Sequence, residues 1–176
     1  STQGLQAKDY TNAVSFSMLA GVSKNITAFS FSGLGTYVVN DVKGVHLAGL
    51  GTYAGNNGNG FMFSGLLNRT NDFKGAGIAG LTNLTGDVNG FQFSGLFNLS
   101  KEGNMHGMQL AGLVNKAGDV KGTQFSGLAN VANDVHGVQF GGLVNIAKNV
   151  KGLQFAGLVN IAETNDYPVG LVNIIR

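Results

Sequence analysis

Along this chain a large apolar residue returns about every 15 residues, and the same short string of neighbours returns with it. The unit Gly137-Val138-Gln139-Phe140-Gly141-Gly142-Leu143-Val144-Asn145-Ile146-Ala147-Lys148-Asn149-Val150-Lys151 is followed by Gly152-Leu153-Gln154-Phe155-Ala156-Gly157-Leu158-Val159-Asn160-Ile161-Ala162, nearly residue for residue. We number the unit 1 to 15 from its first Gly. Position 4 then reads Phe16, Phe31, Leu47, Phe63, Ile78, Phe93, Leu110, Phe125, Phe140 and Phe155, at spacings of 15 to 17 residues. Position 7 is Leu from Leu19 to Leu171, and position 9 is Asn from Asn68 to Asn173, preceded by Thr36 and Thr52. Position 14 is apolar at Ile26, Val42, Phe73, Val88, Met105, Val120, Val135 and Val150. Positions 1 and 6 are nearly always Gly. Extra residues fall between positions 9 and 15, as in Ser100-Lys101-Glu102-Gly103-Asn104, which marks a turn there.

Two glycines per unit argue against helix, since each costs about 1 kcal/mol in a helix interior. Runs such as Val-Gln-Phe and Leu-Val-Asn-Ile predict strands of three to five residues. Two all-β architectures fit. In a parallel β-solenoid each unit is one coil, and about 11 coils stacked ~4.8 Å apart make a rod of roughly 50 Å. In an up-and-down β-barrel each unit is one strand and turn, giving about 12 strands. The apolar residue at position 14 favours the solenoid, where it ends a third short strand and points inward. Parallel stacking also sets like residue on like in every rung. The Gly at position 6 then lets the chain turn, so that positions 4, 7, 9, 11 and 14 face the core. Against this, positions 2, 4, 8 and 10 are mostly apolar and share parity along one straight strand, the alternation of a lipid-facing barrel strand. Residues 1–176 form a single repeat domain, with atypical cap units at 1–28 and a shortened C-terminal unit at 163–176.

Charged residues make up only 11% and the net charge is +2, which gives no basis for nucleic-acid binding. With no Cys there is neither a disulfide framework nor a thiolate metal site. No apolar run of about 18 residues exists, so no transmembrane helix is expected. The opening Ser1-Thr2-Gln3-Gly4 shows no basic-then-apolar leader, as in a mature or trimmed form.

The unit Val-x-Gly-x-Gln-x-Ser/Ala-Gly-Leu-x-Asn, spanning residues 14 to 174, resembles the surface-repeat proteins of Leptospira and Bacteroidetes. The resemblance implies export to the cell surface or outer membrane of a Gram-negative-type bacterium. It implies no activity and no catalytic residues. The first units depart from the pattern: Met18 replaces the second Gly, and Gly-Thr-Tyr at Gly35 and Gly51 replaces x-Asn-x.

The Asn column is expected inside, bonding along the axis. The Gln column (Gln92, Gln109, Gln124, Gln139, Gln154) is expected outside as a solvated ladder, raising the idea of an ice- or polysaccharide-binding face. Position 13 is acidic at Asp41, Asp72, Asp87, Asp119 and Asp134. Pairs such as Asp72 and Asp87, one coil apart, could hold Ca²⁺, but a surface Asp–Lys ladder with Lys43, Lys74 and Lys121 is the simpler reading. His46, His106 and His136 are too dispersed for a metal site. No catalytic motif, cofactor site or metal site is expected. If position 9 faces inward, positions 8 and 10 face outward and make an apolar stripe: Tyr37, Tyr53, Phe97, Leu99, Val114, Val131, Val144, Ile146, Val159 and Ile161. Such a stripe calls for cover. The chain is therefore expected to be a non-enzymatic, exported structural or interaction rod. Its partner would be a protein or glycan, or a second copy through the stripe, with membrane contact as a further option. An outer-membrane barrel pore or anchor is the rival.

Overall fold

The computed structural model describes residues 10–101 and 103–176, so the first nine residues of the expected cap and Glu102 lie outside the described residues. The repeat is a parallel β-solenoid with two strands per coil. The longer strands, from β1 (Thr11–Ser17) to β21 (Thr164–Val169), form one eleven-stranded sheet; the shorter ones, from β2 (Ala20–Ser23) to β22 (Val172–Ile175), form a second. Each strand pairs in parallel with its counterpart one coil away, in register by repeat position: Gln124 lies beside Gln139, and Asn130 beside Asn145. This rules out the barrel, whose neighbouring strands would run antiparallel. The third short strand is absent. Position 14 opens the long strand, as in β15 (Val120–Ser126), and alternation then runs unbroken to position 5.

That alternation decides what is inside. Positions 14 and 11 line an apolar half of the interior, with Val88, Val120, Val135, Ala132 and Ala147 buried. Positions 3, 5 and 9 line the other half. There Gln92, Gln109, Gln124, Gln139 and Gln154 are buried, and so are the Asn residues from Asn68 to Asn160. Two expectations are overturned. The Gln column is interior, and with it the regular polar face that suggested ice or polysaccharide disappears. Positions 4 and 7 point outward, with Phe125 37% and Leu128 41% exposed. Parity explains both: a residue two places from inward-facing Ser or Ala at position 5 must face inward, whatever its polarity.

A polar interior is tolerable because its Gln and Asn amides bond along the axis; the Ser94 and Ser126 hydroxyls beside them have no partner. Each Gln Nε2 donates to the Gln Oε1 one coil back: Gln109 to Gln92 at 3.0 Å, Gln124 to Gln109 at 3.0 Å, Gln139 to Gln124 at 2.9 Å and Gln154 to Gln139 at 2.8 Å. The ladder is closed at both ends. Gln92 donates to the Thr85 hydroxyl, and Asn165 donates to Gln154. The Asn ladder runs the other way, with Asn130 Nδ2 donating to Asn145 Oδ1 at 2.9 Å, and its amides also take up the strand-end carbonyl of the next coil, Phe140 O at 2.7 Å.

Volume is conserved where the pattern lapses. Gly58 takes a position 14 place, and Met62 replaces Gln in the same coil; a Cβ on Gly58 would meet the Met62 sulfur at 3.0 Å. In the next coil the large Phe73 sits at position 14, and Gly77 stands in the Gln column; a Cβ there would meet the Phe73 ring at 3.3 Å.

His46 occupies the same column. Its Nε2–H donates to Lys43 O at 2.8 Å, while the buried Nδ1 has no partner. Burial holds its pKa below the ordinary 6.5, and the bond to Lys43 O only partly offsets this. The unfolded chain therefore binds the proton more readily than the folded one. The neutral ring's contribution is complete above the unfolded pKa and is lost as pH falls below it toward the folded pKa. His46→Gln should flatten the loss of stability between pH 7.5 and pH 5, read as urea midpoints of parent and variant. An unchanged slope would count against a neutral buried ring.

Candidate interaction surface

The outer surface is divided by chemistry into two halves. At one edge the chain turns through positions 5 to 8, with the Phe column on one side and the Leu column on the other. No Asp, Glu, Lys or Arg occupies positions 2 to 9 in any of the eleven coils. The charged residues gather at positions 10 to 15, most of them around the opposite turn, with Arg69 and Lys116 ending short strands.

The apolar edge is built so that its backbone needs no water. In each turn the N–H groups bond the coil below: Gly127 N to Ala111 O at 3.2 Å, and Leu128 N and Ala129 N both to Leu113 O at 3.0 Å. The Gly at position 6 has a reason other than the one expected. It does not serve to swing position 7 inward; the coils simply approach too closely for a side chain. A Cβ on Gly127 would lie 2.1 Å from Gly112 O. This leaves a bare strip between two ridges, and beside it runs a groove lined by Phe93, Gly95, Leu110, Gly112, Phe125 and Gly142. The Phe ridge is ordered by stacking: Phe125 and Phe140 lie 4.9 Å apart at an interplanar angle of 7°.

All ten residues of the expected stripe lie on the outer face of the short-strand sheet. Tyr37 and Ile146 are exposed and the other eight are half-exposed. Tyr37 and Tyr53 stack at 4.8 Å, and Arg69 lies 5.3 Å from the Tyr53 ring centre. The stripe is thus one flank of a larger apolar surface. The edge itself is not evident from the sequence, whose Phe and Leu columns suggest core positions.

Chain comparison adds nothing to this picture. No protein-family model, curated protein or solved structure matches the chain. The surface has to be read from its own chemistry.

At the charged turn the Asp column works on the backbone. Asp41 accepts the N–H of Asn57 at 3.1 Å, Asp72 that of Asp87 at 3.2 Å, and Asp119 that of Asp134 at 3.3 Å. Asn104 does the same for Asp119 at 3.0 Å. These carboxylates close the turn of the next coil, which is why Asn can stand in their place. A surface depression follows this column past Lys43, Lys74 and His106. Among the described residues no group of three or more His, Cys, Asp or Glu side chains is placed to hold a metal ion.

Proposed function

We propose that the protein is a non-enzymatic interaction rod whose uncharged apolar edge, with its flanking stripe, is a contact surface for another macromolecule. The observation that supports it is the inversion of the Phe–Leu half. Phe and Leu are spent on the outside while Gln, Asn and Ser fill the space beneath. A contiguous apolar band as long as the rod exceeds the few hundred Å² that soluble monomers ordinarily expose. The surface placement implied by the repeat resemblance suits this reading, and fractionation of the producing cell is its test.

The contact surface is tested with an apolar fluorescent dye. At protein concentrations below 1 µM, on the order of what keeps weak complexes apart, parent protein should enhance anilinonaphthalene sulfonate emission. The triple variant Leu128→Ser, Leu143→Ser, Leu158→Ser should lose most of that enhancement while keeping its β-type circular dichroism. A parent that is monomeric at that concentration and binds no dye would overturn the reading.

A further inference from the structure

We propose that the occupant of this edge is a second copy of the same chain, paired side by side and running in the same direction. The inference rests on the contact-surface reading and adds the identity of the partner.

Three features lead to it. The first is cross-section. From sheet to sheet the edge reads Phe ridge, bare Gly strip, Leu ridge. A two-fold axis parallel to the rod lays the Leu ridge of each copy, including Leu128 and Leu143, along the Gly strip of the other. The contact is then isologous, the same patch serving both partners. The second feature is pitch. The edge is corrugated every ~4.8 Å over roughly 50 Å. A parallel copy repeats that corrugation tier for tier. An unrelated partner has no reason to match it. The third is area. Five residues across, at ~3.3 Å each, make the edge about 15 Å wide, so that it offers roughly 750 Å² per copy. Stable protein pairs bury about 800 Å² per partner.

Charge agrees. Nothing charged at positions 2 to 9 opposes a like copy. The edge also lacks what a lipid surface would favour: the chain has no Trp, and among the described residues only Arg69 and Lys116 of its basic residues stand on the flanking stripe, the others lying at the opposite turn mixed with Asp.

The experiment is sedimentation of the full chain from about 0.5 to 100 µM without detergent, with dye emission read on the same samples. Expected are a monomer-to-dimer transition and a fall in dye emission per chain as the dimer forms. Leu128→Asn with Leu158→Asn should shift the transition to at least tenfold higher concentration without altering the melting temperature by more than a few degrees. Phe125→Ser, on the outer flank of the pairing, should shift it less. A chain that stays monomeric throughout while still binding dye would overturn the second-copy proposal and leave the contact surface standing. So would a monomer that floats with neutral phosphatidylcholine vesicles. A chain that neither pairs nor binds dye would remove both.

Discussion

Gly122→Ala should unfold the rod or come close to it. Gly122 belongs to the position 1 column, and with Gly44, Gly60, Gly75, Gly90, Gly107, Gly137 and Gly152 it holds a positive φ, +140° in its own case. An L side chain resists that conformation at a cost of about 1–3 kcal/mol. The second penalty is steric: a Cβ on Gly122 would lie 2.0 Å from the carbonyl oxygen of Gly107. That oxygen belongs to a backbone held in the parallel ladder on both sides, so it cannot withdraw without breaking strand pairs. Together the two effects should cost more than about 4 kcal/mol, the range reached only by the most damaging single substitutions. Thermal unfolding by circular dichroism reads it directly. A change of melting temperature of only a few degrees would mean that the coils are not stacked this closely.

Asn130→Leu should be the most damaging substitution of a side chain. Asn130 is fully buried. Its amide donates to Phe140 O at 2.7 Å and to Asn145 Oδ1 at 2.9 Å, and its own oxygen accepts from Asn115 at 3.0 Å. Leucine would leave a backbone carbonyl and two neighbouring amides short of partners, each at about 1–3 kcal/mol. Gln124→Leu breaks the interior Gln ladder at two bonds, to Gln109 and from Gln139, and strands no backbone group. It should destabilise clearly, but less than Asn130→Leu. Phe125→Ser, outside on the same strand as Gln124, should cost least. The order Asn130, Gln124, Phe125 in denaturant midpoints checks all three placements. Phe125 ranking first would restore the apolar-inside arrangement.

The period, the parallel stacking and the number of coils were legible because they depend only on which residues recur. The inward places of positions 9, 11 and 14 followed from them. What misled was the habit of sending the largest apolar residues inward. Phe125 and Gln124 are adjacent on one strand, so only one of them can face the core. The choice was already fixed by Val120, four residues before Gln124 and plainly inward. Period-two alternation from Val120 reaches Gln124 and Ser126, and excludes Phe125. The same alternation fits a lipid-facing barrel strand, but a solenoid with an apolar exterior satisfies it equally. The steric reason for the glycines was not legible. It arises between coils, where Gly107 meets Gly122, and local sequence carries no sign of that distance. Nor was the work of the Asp column, which accepts backbone N–H groups one coil on.

The inside-out arrangement is tested most directly by hydrogen exchange of side-chain carboxamides in the unaltered protein, followed by nitrogen-15 NMR. The Nε2 protons of Gln109, Gln124 and Gln139, buried in the ladder, should exchange at least about 100-fold more slowly than those of exposed Asn133. Gln protons exchanging as fast as those of Asn133 would put the Gln column in water, and would return Phe and Leu to the interior.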